Sequence, residues 1–251
     1  MKPRDRANYI LILPSLFTTG NLFCGFYSMI QSFNHNYEKA AYAIILAGAF
    51  DLLDGRVARM TKSTSQFGLE YDSIADVVSF GVAPAILGYV WLLQDFGNLG
   101  WAASFFFAAC GALRLARFNA LAQSTAKSYF VGLPIPAAAN TVAAAAILYK
   151  INPFFFPSQL MLVMMFVLGL LMVSRIRYRS FKDFDLRHRR KFFLLVLLVM
   201  VITIGATNPE LTVNLLLLSY ILWSPIREVF SWLKRKGAPR KESVVEERHD
   251  I

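Results

Sequence analysis

DLLDGRVARMTKSTSQFGLEYDSIAD, residues 51–76, sets four aspartates, Asp51, Asp54, Asp72 and Asp76, into or beside segments apolar enough to lie in a membrane. The first two are spaced i,i+3 and the last two i,i+4, so on helices each pair shares one face. Gly55 and Ala58 lie near the first pair, and Gly68 lies one turn ahead of Asp72 on its face. A charged carboxylate in hydrocarbon is costly, and packing does not explain four of them in so short a stretch. Several acidic side chains gathered in a confined place bind divalent cations through hard oxygen ligands. The small residues beside them leave room for a ligand to approach the backbone.

The flanks say where this site lies. The chain has 251 residues, 56% of them hydrophobic, and a mean hydropathy of +0.47. Its apolar residues come in runs, and a membrane-spanning helix needs about 20 of them. The expected fold is all-α and polytopic, with spans at about 12–33, 40–60, 73–94, 99–120, 131–150, 158–175, 192–206 and 210–232. The first six form a catalytic core, and the last two are an addition joined through TNPE at 207–210. Residues 1–233 make one integral membrane domain, and 234–251 make a charged tail expected to be disordered. The N-terminus is charged and then apolar, but no small-residue cleavage site precedes Asn21.

Lys and Arg collect on alternate connections. One side takes Lys2, Arg4, Arg6, Arg56, Arg59, Lys62, Arg114, Arg117, Lys127, the run from Arg175 to Lys191 and the tail, while the other has Lys39 and Lys150. This asymmetry puts both termini and the acidic stretch at the cytoplasmic face of the cell membrane. It also accounts for the net charge of +10 without nucleic acid as a partner. The basic run 175–191 is a topogenic loop that also suits anionic membrane lipids. Cys24 and Cys110 both fall in expected spans and imply no disulfide. His35, His188 and His249 lie away from the aspartates, which speaks against histidine acid–base chemistry or a zinc site. No P-loop or nucleophile-elbow sequence is present.

Outside the acidic stretch, Thr18, Asn21 and Gly25 fall on one face of the first span. They either pack helices or, in the case of Asn21, line the site. Arg114 and Arg117 are spaced i,i+3 at the end of the fourth span. They either snorkel or make bidentate contacts to phosphate or carboxylate. Pro134 and Pro136 in GLPIPAAA open the fifth span, with no physical argument for chemistry there.

The pattern D-x-x-D-G-x-x-A-R, eight residues, then G-x-x-x-D-x-x-x-D resembles the signature of the CDP-alcohol phosphotransferase family at all its fixed positions: Asp51, Asp54, Gly55, Ala58, Arg59, Gly68, Asp72 and Asp76. Within that family the chain is most similar to the serine-using branch, the CDP-diacylglycerol–serine O-phosphatidyltransferases. The narrower likeness rests on PSLFTTGNLFCG (14–25), RLARFN (114–119) and YFVGLPIPAAA (129–139), within about the first 150 residues. The resemblance implies CDP-diacylglycerol as donor, L-serine as acceptor and a homodimer. It implies two ions, Mg²⁺ or Mn²⁺, among Asp51, Asp54, Asp72 and Asp76, with Asp76 also the general base. Gly55, Ala58, Gly68 and Asn21 would admit the cytidine and its phosphates, Arg59 would add positive charge, and Arg114 and Arg117 would hold serine's carboxylate or a phosphate. Two other readings stay open. One is a sister enzyme with another acceptor, such as glycerol phosphate, inositol phosphate or choline. The other is a transporter with an intramembrane cation site, against which the clustering near one membrane face counts.

Overall fold

The computed structural model describes residues 3–61, 65–122, 129–151 and 157–179, together with Thr212, Ser219 and Ile221. The expected seventh and eighth spans, most of the basic run 175–191 and the charged tail lie outside these residues, apart from those three positions. Six helices carry the described fold: α1 (Pro3–Phe33), α2 (Tyr37–Thr61), α3 (Gln66–Phe96), α4 (Asn98–Ala122), α5 (Ile135–Ile151) and α6 (Ser158–Val173). Two short strands, β1 (Tyr129–Val131) and β2 (Arg177–Arg179), pair antiparallel with Phe130 opposite Tyr178. Gln66–Phe96 and Asn98–Ala120 are long and apolar enough to cross a membrane, and Ser158–Val173 is a shorter apolar helix.

The expected positions hold for all six, with ends that shift for local reasons. Helix α3 starts at Gln66 rather than 73 because Ser65 caps it, its extended backbone letting the hydroxyl accept from the Gly68 N–H at 3.0 Å. Helix α5 starts at Ile135 rather than 131, because residues 129–131 are drawn into the strand pair and Gly132 has φ +84°. A Cβ there would run into the Met172 carbonyl oxygen, so only glycine lets this connection close on the end of α6. The Gly132 N–H then donates to Ile176 O (2.9 Å) and the Leu133 N–H to Leu171 O (3.0 Å).

Lipid tails are as apolar as leucine, so membrane helices associate through close packing rather than the hydrophobic effect. The core shows how. Ala40, Ala41, Ile44 and Ala47 make a small-residue stripe on α2, and Ala138, Ala139, Val142, Ala143 and Ala146 make another on α5. Phe80 and Leu87 of α3, Phe107 of α4 and Met161, Met165 and Met172 of α6 fill the remaining volume. Gly25 lets α1 meet α3 at close range, since a Cβ on it would lie 2.7 Å from Ser79 Cα. Ser79 belongs to a π-helical stretch, Val77–Val82, that begins one residue after Asp76; such widened turns often occur at functional sites.

The antiparallel arrangement gives the bundle two unlike ends. At one end the chain turns at Asn34–Asn36, Tyr37 Oη donates to Val90 O (3.3 Å), Trp91 and Tyr149 meet edge to face, and Lys150 pairs with Glu38. The other end collects the C-terminal part of α2, the start of α3, the last turns of α4 and the β1–β2 pair. All four aspartates of the opening stretch belong to that second end.

Candidate functional site

Helix α2 delivers Asp51 and Asp54 on adjacent turns, and α3 delivers Asp72 and Asp76 on its inner face. Carboxylate oxygens of Asp51, Asp72 and Asp76 all lie within 4.8 Å of one another. Asp54 and Asp76 are buried, and Asp51 and Asp72 are half-buried. Asp54 accepts a hydrogen bond from Thr18 Oγ1, a residue 2% exposed. Asp76 Oδ1 accepts from Asn21 Nδ2 at 3.0 Å, and Asn21 is fully buried. Ser79 Oγ donates in turn to Asn21 O (2.9 Å), so α1 is fixed on α3 at the point where it holds Asp76.

Three carboxylates this close repel one another unless a cation stands among them. Arg114 is near enough for its charge to act on Asp76, and its side chain is 6% exposed. Asp72 Oδ1 is buried with no hydrogen-bond partner among the described residues. A buried acceptor left that way is costly. An all-oxygen donor set with one orphaned oxygen suits a hard divalent cation, and the residues present therefore fit such a group.

The other expected site residues fall in different places. Gly55 and Ala58 follow the aspartates along α2, and the exposed Arg59 folds back so that Nη1 lies 3.4 Å from where a Cβ on Gly55 would be. Gly68 lies in the first turn of α3, its N–H taken by Ser65. Arg114 faces the aspartates, but Arg117 spans to another helix end. Its Nη1 donates to Val173 O (2.9 Å) and its Nη2 to Ser174 O (3.2 Å), satisfying carbonyls that α6 leaves open at its C-terminus. The structure thus separates two arginines that their spacing had paired.

Three residues near the site went unread in the sequence. Ser79 was legible in principle, being three positions after Asp76 on a continuing helix. Ser73 Oγ accepts from Asn119 Nδ2 (2.8 Å), which ties α4 to α3 beside Asp72. Asn140 of α5 faces Gly48 of α2, its Nδ2 lying 3.5 Å from where a Cβ on that glycine would be. Nothing local in AAANTVAAA marks it.

Residues 11–174 match the CDP-alcohol phosphatidyltransferase family. The chain belongs to that family. The match includes all four aspartates and every helix from α2 to α6. Among relatives, a Helicobacter pylori protein named CDP-diacylglycerol–serine O-phosphatidyltransferase is 36% identical over 231 residues, 90% of this chain and 95% of its own. A Bacillus subtilis protein of the same name is 35% identical over 175 residues, 70% of this chain and 92% of its own. One from Methanocaldococcus jannaschii, again of that name, is 45% identical over 141 residues, 56% of this chain and 63% of its own. The H. pylori similarity extends well beyond the family match at residue 174, into the part of the chain that follows α6.

Proposed function

We propose that this protein transfers the phosphatidyl group of CDP-diacylglycerol to the hydroxyl of L-serine, giving phosphatidylserine and CMP. The convergence of Asp51, Asp72 and Asp76 around one unpartnered carboxylate oxygen carries the chemistry. The relatives named for serine, two of them similar over nearly their whole length, support the acceptor. Mg²⁺ or Mn²⁺ bound among the aspartates, two ions in this reading, supplies positive charge against the donor's pyrophosphate and the departing CMP.

The chain's own residues do the rest. Asp51, Asp54 and Asp72 hold the cation-binding geometry, with Thr18 orienting Asp54. Serine's Oγ attacks the phosphatidyl phosphorus, the bond from that phosphorus to the bridging oxygen breaks, and the oxygen leaves with CMP. The hydroxyl proton passes to Asp76, whose Oδ1 is engaged by Asn21 and whose other oxygen is left for it. Arg114, beside Asp76, is placed to hold serine's carboxylate. Gly55, Ala58 and Gly68 leave room for the cytidine and its phosphates, and Arg59 covers that side with positive charge. This end of the bundle lies at the cytoplasmic membrane face on the Lys/Arg asymmetry, with six core spans, two further ones and a homodimeric assembly completing the proposal.

CMP release measured with CDP-diacylglycerol and a panel of acceptors tests the function. Release is expected with L-serine. Release with glycerol phosphate, inositol phosphate or choline and none with serine would overturn the acceptor.

A further inference from the structure

Helices α3 and α4 run antiparallel, and two contacts fix one on the other. In the interior of the bundle Gly81 of α3 faces Gly111 of α4, both of them buried, and a Cβ on Gly111 would lie 3.8 Å from Gly81 Cα. At the end that carries the aspartates, Asn119 Nδ2 donates to Ser73 Oγ at 2.8 Å. The Ser73 hydroxyl gives its own hydrogen to Leu69 O (2.9 Å), which leaves its acceptor side to Asn119. The two contacts are equally spaced on both helices, 73 to 81 and 111 to 119, about 12 Å of helical rise. Between them α3 carries Asp76 and α4 carries Arg114, the buried arginine whose charge acts on it. Arg117 lies between them too, but it turns to the end of α6.

Little else holds this seam on its outer side. A cavity of about 450 Å³, open on one side, runs between Ile74, Val77 and Val78 of α3 and Ala112, Leu115 and Ala116 of α4. Small residues let two helices approach closely. A glycine pair has no side chains to interlock, however, and leaves the helices free to pivot about the contact. The Asn119–Ser73 bond is the second point, and two points set both register and angle. Arg114 reaches out from the stretch between them, so its position against Asp76 depends on both. A misplacement of about 1 Å at a reacting centre costs up to about 100-fold in rate.

We infer that Asn119 is a positioning residue for the acceptor: through Ser73 it sets the register in which Arg114 meets Asp76, and with it the affinity for serine. The inference rests on the proposed role of Arg114 in holding serine's carboxylate. The residues of the proposed donor site come from α1, α2 and α3, and α4 brings Arg114. Loosening α4 therefore weakens serine binding and spares the donor.

Initial rates of CMP release by the full chain in lipid–detergent micelles, with serine and CDP-diacylglycerol varied separately, test it. Asn119→Leu, close in size, and Ser73→Ala are each expected to raise the KM for serine about 10-fold and to leave the donor KM near that of the wild type. The double variant should be no worse than either single one, because both remove the same bond. Ser73→Thr keeps the hydroxyl, and its added methyl has the cavity to enter, so it should keep the serine KM of the wild type. In an Arg114→Lys background, Asn119→Leu should add little. An unchanged serine KM in Asn119→Leu beside a raised one in Arg114→Lys overturns this inference alone. So do a joint rise of both KM values, which marks a general loosening of the fold, and full additivity with Arg114→Lys. A serine KM unchanged in Arg114→Lys overturns the role given to that arginine and this inference with it.

Discussion

Asn21 and Asp76, 55 positions apart in sequence, are joined by a 3.0 Å hydrogen bond from Nδ2 to Oδ1 in the buried contact of α1 with α3. Hydrogen bonds to charged groups contribute about 1.5–3 kcal/mol. Asn21→Leu should therefore lower kcat for CMP release about 10- to 100-fold by freeing Asp76 to rotate, with the KM for CDP-diacylglycerol nearly unchanged. A large rise in donor KM at intact kcat would instead make Asn21 a nucleotide contact, as its sequence context suggested.

The aspartates themselves should be far less forgiving. Asp51→Asn, Asp54→Asn and Asp72→Asn are each expected to abolish transfer, and thorough chelation should silence the wild type until Mg²⁺ or Mn²⁺ is restored. Thr18 acts through Asp54, so Thr18→Val should raise the metal concentration for half-activity about 10- to 100-fold, while Thr18→Ser retains it. Full activity in a chelated sample would exclude the metal mechanism.

Asp76→Asn is expected to lose turnover while still binding CDP-diacylglycerol. A donor chiral at phosphorus should give inverted product, as a single in-line displacement requires. Retention, the result of two displacements through an aspartyl intermediate, would remove Asp76 as general base.

The two arginines should separate in the assay as they do in the fold. Arg114→Lys keeps a charge beside Asp76 but loses the planar fork, and should raise the KM for serine about 10-fold. Arg117→Ala strips two carbonyls at the end of α6 of their donors and should cost about 1–2 kcal/mol of stability, read as a lower melting temperature in detergent. Its KM for serine should stay near that of the wild type.

What the sequence disclosed and what it withheld divide along the range of the forces involved. The acidic motif and the helices that carry it were legible because a face of a helix is a local pattern, set by spacing alone. The six described helices were legible for the same reason. The division of labour within the motif was not, because Asp54 turns to Thr18 only where α1 crosses α2, and that crossing is tertiary. Nor was the task of Arg117, which depends on α6 ending 56 positions later. GLPIP looked like a marker without a purpose. Its purpose became visible once Gly132 was seen against the Met172 carbonyl. Asn140 is chemically conspicuous only through what faces it.

The π-helical stretch at Val77–Val82 has a consequence for how α3 serves two masters. An α-helix turns about 100° per residue, so a uniformly wound α3 would fix the azimuth of its core residues by that of its carboxylates. The widened turn uncouples them. It works as an angular offset between the part that carries Asp72 and Asp76 and the part that carries Ala83 and Leu87, and Ser79 sits inside the offset itself. Winding the same six residues as α-helix instead would rotate one part against the other by about 100°. The carboxylates could then converge, or the core could close, but a single rigid helix would no longer do both.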